Sequence, residues 1–335
     1  MAGPIEISRN TFTALLASGR PLVADGAMGT TLFSLGLEGG GCPELLNVEQ
    51  PDLVEKVHRG FIDAGSDIIL TNTFGGNRLR LALHGLEERV AELNQAAVAI
   101  ARRAVEQAGR QVAIAGSIGP TGELFEPLGS VSHRRGVDVF GEQCRALADA
   151  GADVLWIETL SSFEELAAAS EAAASTGLPY TATLSFDTAG HTMMGISATA
   201  LAEWTLAHPG LTAVGANCGI GPGDAVAAVF DITAVDEGLV TIAKANCGMP
   251  LYQTEGLTYP VGPDQMGSYV ELAMRSGARI IGACCGSTPD HIAAIREAVD
   301  GYVAAGRPAR DEIEGRLGAA SSPLPSVRRA GRRRA

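Results

Sequence analysis

Short runs of apolar and β-branched residues alternate along the chain with longer amphipathic stretches, and the alternation is regular enough to count. The short runs are PLVAD (21–25), DIILTNT (67–73), VAIAGSI (112–118), DVLWIET (153–159), YTATLSF (180–186), LTAVGAN (211–217), LVTIAKAN (239–246) and ARIIGACC (278–285), eight candidate strands in all. Most are apolar along their whole length, as parallel strands covered on both faces should be. Between them apolar positions recur at helical spacing, most clearly over 83–107, where Leu86, Val90, Leu93, Ala97, Ile100 and Ala104 fall three or four residues apart. Four helical stretches close on a glycine just before the next strand, at Gly65, Gly151, Gly177 and Gly277, which reads as a helix C-cap. Eight uninterrupted βα units predict a (β/α)8 TIM barrel, class α/β, with its active site at the carboxyl ends of the strands. Residues 27–50 are too long for an ordinary βα loop and are expected to lie over the barrel mouth.

Composition narrows the class. The 335 residues are 46% hydrophobic with only 5% aromatics, so the core must be built from Ala, Val, Leu and Ile. No run of 18 apolar residues occurs, which excludes a helical membrane span, and residues 1–20 lack the apolar centre of an export signal, so the cytoplasm is the expected compartment. A net charge of −13 repels nucleic acid, and neither nucleic acid nor membrane is expected as a partner. The charge is uneven: residues 307–335 carry eight Arg against Asp311, Glu312 and Glu314, and 305–335 read as a basic, disordered tail. Six cysteines in so long a chain do not make a disulfide scaffold; in a reducing compartment they are packing residues, metal ligands or nucleophiles.

Their placement is informative. The candidate strands end in Asp25-Gly26, Thr71-Asn72-Thr73, Glu158-Thr159, Asn217-Cys218-Gly219, Asn246-Cys247-Gly248 and Cys284-Cys285-Gly286, so four cysteines fall on three neighbouring strand ends. Singly, each is as well explained as a small buried residue before a glycine. Together they point to a metal, because three converging thiolates and an open fourth position describe a catalytic zinc site. The vicinal pair Cys284-Cys285 can serve one ion only if the strand stops there and the chain turns, which Gly286 permits. Zinc bound by three thiolates is electron-rich, suited to activating a fourth thiol for alkyl transfer to sulfur.

With the motifs DGAMGTTL, TNTFGGN, the IET after the fourth strand, GANCG and GACCG, the chain resembles the homocysteine S-methyltransferase family over about residues 12–304. That family includes betaine-homocysteine methyltransferase and the homocysteine-binding module of cobalamin-dependent methionine synthase. The resemblance implies a zinc-dependent barrel forming methionine, with Cys218, Cys284 and Cys285 as metal ligands and catalytic centre. It further implies that Asp25 and Glu158 receive the homocysteine ammonium, while the backbone of Gly26 and Ala27, with Thr73, holds its carboxylate. Betaine-using members resemble one another in tyrosines that hold a quaternary ammonium; here those places carry Gly75 and Thr159, leaving Phe74, Phe125 and Trp156 as aromatic faces. The resemblance therefore ranks a methylcorrinoid donor on a separate protein, as in a split methionine synthase, above direct transfer from betaine or S-methylmethionine. The oligomeric state stays open, a homo-oligomer included.

Other residues have plainer readings. Cys247 is a spare thiol beside the metal or a packing residue; Cys42 and Cys144 belong to packing or surface. His58, His84, His208 and His291 fall on or near helices and read as solvated, and His133 and His191 lie in βα-loop regions. A rival class is a Schiff-base lyase using Lys244, which sits inside an apolar strand where desolvation lowers an amine's pKa. Other rivals are an anion site at Ser287-Thr288, more simply a helix N-cap, and a non-catalytic binding subunit.

Overall fold

A parallel strand turns alternate residues to opposite faces, and here that alternation builds two cores. The computed structural model describes residues 10–253 and 256–318. Its barrel strands are β1 (Leu22–Val23), β2 (Ile68–Leu70), β3 (Ala113–Ile118), β4 (Val154–Leu160), β5 (Tyr180–Leu184), β6 (Leu211–Cys218), β7 (Thr241–Ala245) and β8 (Ala278–Ala283). Neighbours pair in parallel from β2 round to β8, β8 pairs with β1, and a parallel bridge from Ala24 to Ile68 closes the ring. The inward phase, Leu22, Ala24, Ile68, Leu70, Ala113, Ala115, Val154, Trp156, Ala213, Ile242 and Ile280, forms the barrel interior, plugged from below by Phe12 and Leu15 of the helix Thr11–Ala17. The outward phase, including Val23, Ile69, Ile114, Leu155, Ile157, Val214 and Ile281, packs under the ring of helices. Those helices are Pro51–Asp63, Val90–Glu106, His133–Asp149, Phe163–Ala174, Ala198–Ala207, Pro222–Val235, Met266–Arg275 and Pro289–Asp300.

The four glycines expected as caps all take positive φ, between 76° at Gly177 and 107° at Gly65. At the amino end of the barrel Asp67 ties β1 to β2: its carboxylate accepts from the Val23 amide at 2.9 Å and from Arg20 at 2.7 and 2.8 Å. Near the carboxyl end Tyr269, fully buried on the helix Met266–Arg275, shares its one hydroxyl proton between Ala243 O at 2.8 Å and Gly282 O at 3.0 Å, pinning β7 to β8.

Several expectations are corrected. The helix expected over 83–107 begins at Val90, because Gly85 takes a φ of 67° and Glu87–Arg89 forms a 3-10 turn first. A two-stranded hairpin, Leu251–Gln253 with Gly256–Thr258, follows β7 and was not foreseen. Within the expected tail, Arg310–Leu317 is a helix rather than disordered chain: Ile313 is buried, Arg307 and Arg310 lie over the Phe230 ring, and Arg316 pairs with Glu271. Residues 319–335 lie outside the described residues. His58 is fully buried on the inner face of its helix, with its imidazole pushed down to about 4 by burial, and His291 is nearly so. No helix among the described residues is long and apolar enough to cross a membrane.

Tyr269→Phe should cost about 1 to 3 kcal/mol of stability, since it leaves buried carbonyls on two adjacent strands without their donor. Urea denaturation compared with the wild type measures this.

Candidate active site

Above the inward apolar layer, the next residues in the same phase are Ser117, Glu158, Asn217, Lys244 and Cys284, two positions beyond Ala115, Trp156, Gly215, Ile242 and Gly282. They form a polar ring at the carboxyl end. A cavity of about 220 Å³ opens over it, lined by Gly26, Ala27, Thr73, Ser117, Glu158, Thr159, Lys244 and the three cysteines 218, 284 and 285. Pro43 and Glu44, from the long segment after β1, form part of its wall. Glu44 is buried and accepts from the Gly75 amide at 2.6 Å, and a Cβ at Gly75 would lie 3.0 Å from that carboxylate.

The three cysteine Sγ atoms all lie within 4.8 Å of one another, the one group of His, Cys, Asp and Glu among the described residues close enough to share an ion. Cys218 reaches the group through a left-handed backbone, φ 61°, and Gly286 turns the chain at φ 85° just after the vicinal pair, which lies beyond the end of β8 at Ala283. A side chain at Gly286 would also strike the Tyr259 ring, 2.2 Å away. Hydrogen bonding with Cys284 and Cys285 draws the Cys218 thiol well below its usual range, while the same contact with Cys218 pushes Cys284 up to about 11 and Cys285 higher.

Glu158 is buried. Its Oε1 accepts from Ser117 Oγ at 2.5 Å and its Oε2 from Asn217 Nδ2 at 3.4 Å. Burial first, then the nearby Cys284, push its carboxyl up to about 7 against Lys244 and Ser117. Asp25 sits apart from the open cavity. Its Oδ2 accepts from the Leu70 amide at 2.7 Å and its Oδ1 from Lys244 Nζ at 3.0 Å. Burial pushes the Asp25 carboxyl up against these donors; burial would lower Lys244, but Asp25, then Cys284 and Glu158, outweigh it and hold the ammonium above its ordinary range. Both Asp25 oxygens accept from donors, and with Lys244 it forms a buried ion pair. A lysine held so firmly as a cation is a poor amine nucleophile, which counts against the Schiff-base reading.

Of the groups expected on the substrate carboxylate, the Ala27 amide already donates to Ser287 Oγ at 3.0 Å and the Thr73 hydroxyl to Ser117 O at 2.7 Å. Ser287 in turn donates to Cys284 O, and Thr288 caps the last barrel helix with His291, the plain N-cap arrangement. Phe74 lines the cavity, whereas Phe125 and Trp156 are buried in the cores. Cys247 is fully buried, its thiol pushed up to about 12 by burial and Cys284, with its amide on Cys285 O; Cys42 and Cys144 are buried too.

The sequence reading named Asn217 and Asn246 at strand ends without a role, and did not single out Ser117 or Tyr259. Asn246 donates to Gly219 O at 2.6 Å, accepts from the Cys285 amide at 3.0 Å and hydrogen-bonds Cys218, so it braces two thiol-bearing strand ends. Ser117 and both asparagines were visible as polar residues in the inward phase; Tyr259, which follows the hairpin, carried no such signal.

A (β/α)8 barrel with three thiols and a buried carboxylate at its carboxyl mouth defines a barrel enzyme built for thiolate chemistry. The chain belongs to the homocysteine S-methyltransferase family, whose model matches residues 22–299. It is 32% identical over 301 residues to a methionine synthase of Mycobacterium tuberculosis and 31% over 298 residues to that of Mycobacterium leprae. Each match covers 84% of this chain but only 25% and 24% of the relative, so the chain spans about a quarter of those proteins' length. Among solved structures, the homocysteine methyltransferase MmuM from Escherichia coli, in its metallated form, superposes with a TM-score of 0.72 at 28% identity, covering 86% of this chain and 99% of that one. A methyltransferase from Methanosarcina mazei shares the fold, with a TM-score of 0.54 at 13% identity.

Because the folded state holds the Glu158 proton up to about pH 7 and the unfolded chain releases it near 4.5, stability falls as pH rises between these values. Glu158→Gln should therefore be more stable than wild type above pH 7, by on the order of 3 kcal/mol, with the difference fading toward pH 4.5. Urea denaturation at pH 5 and pH 8 checks the sign.

Proposed function

We propose that the protein S-methylates homocysteine to methionine, with zinc held by Cys218, Cys284 and Cys285 and the methyl group supplied by a methylcorrinoid on a separate protein. The observation that carries this reading is the convergence of those three thiols, within 4.8 Å of one another, on a cavity that also presents Glu158. The donor set fits the metal: zinc favours soft thiolates, and about 3.8 Å between sulfurs is what tetrahedral bonds of about 2.3 Å require. When bound, zinc supplies the positive charge that keeps a fourth thiol deprotonated near neutral pH. The remaining tasks belong to the chain. Glu158 accepts the substrate ammonium, Ser117 and Asn217 fix its two oxygens, and Asn246 holds the ends of β6 and β8 together. A methylated corrinoid would supply an electrophilic methyl group to the substrate sulfur held at Cys218, Cys284 and Cys285.

Two features favour a donor carried by a protein. Apolar side chains stand exposed on the segments that follow the barrel strands, among them Phe33, Phe74, Leu124, Leu128, Met193 and Met249, a surface suited to a partner. Gly75 packs its amide on Glu44 and Thr159 is tied to Asn217, so neither place offers an aromatic face for a quaternary ammonium. A second reading, direct transfer from betaine or S-methylmethionine, rests on Phe74, which does present a ring to the cavity.

Purified protein should carry about one zinc per chain, lost on replacing Cys218, Cys284 or Cys285 with Ala and kept in Cys247→Ala. Metal analysis decides this, and full zinc in all three ligand variants would sink the assignment. Methionine formation should proceed faster with methylcob(III)alamin or a methylated corrinoid protein than with betaine or S-methylmethionine. Efficient turnover with betaine at sub-millimolar concentration, and none with methylcorrinoid, would move the donor to the second reading and leave the thiolate chemistry standing.

A further inference from the structure

We propose that Tyr259 determines which sulfur receives the methyl group, its ring covering the turn that carries Cys285 so that a donor reaches the thiol cluster only from the cavity, where the substrate sulfur stands. This rests on the homocysteine reading above and deepens it. That reading sets a problem of selectivity, because a substrate thiolate would share the metal with three cysteine thiolates, and each of those is itself a sulfur nucleophile. Methylation of any one would turn a charged ligand into a neutral thioether and weaken the hold on zinc. Burial does not protect the three, since Cys218, Cys284 and Cys285 are all half-buried while Cys247 is fully so.

The three sulfurs differ in their surroundings. Cys218 is hydrogen-bonded by Asn246 and by the Gly219 amide, and Cys284 continues the inward phase of β8 beside Lys244 and Glu158. Cys285 lies outside the strand, in the turn, and what the barrel fixes there is its amide, on Asn246 at 3.0 Å. Tyr259 covers that turn. Its ring lies so close to Gly286 that a Cβ there would be 2.2 Å away, and it packs on the outer core without lining the cavity. Its phenol is pushed up to about 12, first by burial and then by Cys285 ahead of Cys218, Cys284 and Cys247, and its hydroxyl has no hydrogen-bond partner among the described residues. The segment that carries the ring is anchored. The Val261 amide donates to Cys247 O at 3.0 Å, His291 Nε2 meets Val261 O at 3.0 Å, and Pro260 sits where a Cβ at Gly248 would approach to 2.6 Å. Gly248 and Gly286 thus leave room for this segment directly beside the sulfurs. Tyr259 is a positioning residue: it limits the direction of attack and takes no part in the transfer.

The test treats zinc-loaded wild type, Tyr259→Phe, Tyr259→Leu and Tyr259→Ala with methyl iodide under saturating homocysteine. In each methylation a carbon–sulfur bond forms, the carbon–iodine bond breaks and iodide leaves with the electron pair. Mass spectrometry of the digested protein follows the methyl group on each cysteine, and zinc is measured alongside. Tyr259→Ala should methylate Cys285 at least about tenfold faster than wild type, with Cys218 and Cys284 within about threefold of their wild-type rates. Tyr259→Phe, which keeps the ring, should stay within about threefold at all three. Tyr259→Leu, which keeps apolar packing without the ring, should follow Tyr259→Ala and carries the comparison if the alanine variant does not fold. Cys285 methylated at the wild-type rate without the ring, all three cysteines accelerating together as in a loosened site, or Tyr259→Phe as reactive as Tyr259→Leu would each overturn the assignment. A wild type that holds no zinc, or that methylates homocysteine no faster than it reacts in free solution, would instead overturn the homocysteine reading itself.

Discussion

Asp25 is where the barrel closes. Its amide donates to Ile68 O at 3.0 Å and its carboxylate accepts from the Leu70 amide at 2.7 Å, so both ends of the residue hold β2. Its own carbonyl accepts from Lys244 of β7 at 2.7 Å and from the Ala283 amide of β8 at 3.3 Å. One buried residue therefore joins four strands at the seam, where β1 contributes only two residues of regular ladder. Without closure there, β1 and β2 would be left as the two free edges of an open eight-stranded sheet. The ion pair with Lys244 makes this seam expensive to disturb, because removing either partner leaves a buried charge uncompensated.

The same strands carry two kinds of layer, and the order of the layers sets the chemistry. Apolar residues fill the lower barrel interior, and the amino end is held by the network around buried Asp67. One step further along each strand the inward residues become Ser117, Glu158, Asn217 and Lys244, which are buried although they are polar. A buried polar layer is tolerated only when its members satisfy one another, and most of these do. Glu158 is the exception in charge: its two hydrogen bonds come from neutral groups, and burial leaves its carboxyl near 7. That makes it the acceptor with most to gain from an incoming cation, whereas Asp25, already facing Lys244, has little.

Much of this was readable in the chain, for reasons that lie in particular residues. Eight strands and their capping glycines follow from periodicity; placement puts four cysteines at three strand ends, and it is the family resemblance that separates Cys218, Cys284 and Cys285 from Cys247. What the sequence could not show was pairing. Asp25 and Glu158 look alike as strand-end carboxylates, and only the fold reveals that Lys244, distant by 219 residues, occupies the first and leaves the second. The Ala27 amide and the Thr73 hydroxyl likewise seem available until Ser287 and Ser117 are seen beside them. Within the expected tail, the helix Arg310–Leu317 was not legible because composition weighs arginines without their partners: Arg310 has Asp231 and Phe230, and Arg316 has Glu271.

The site exists where the chain gives up its local preferences. Two residues other than glycine take left-handed backbone near the ends of β4 and β6, Thr159 at φ 64° and Cys218 at φ 61°, a conformation that costs about 1 to 3 kcal/mol each. Asn217 explains how the first persists: its Oδ1 accepts from the Thr159 amide at 2.9 Å and from Thr183 Oγ1 at 2.7 Å, and its Nδ2 donates to Thr159 Oγ1 at 2.7 Å. For Cys218 the turn has a direct chemical result. With Asn217 facing inward, a regular strand would point Cys218 outward, into the helix layer. The left-handed turn brings its sulfur back over the mouth. Cys285 meets the same difficulty beside inward-facing Cys284, and there β8 stops at Ala283 and Gly286 makes the turn. In both places a sulfur that strand geometry would send away from the cavity is recovered by ending the strand, so the triad depends on where β6 and β8 terminate as much as on the cysteines themselves.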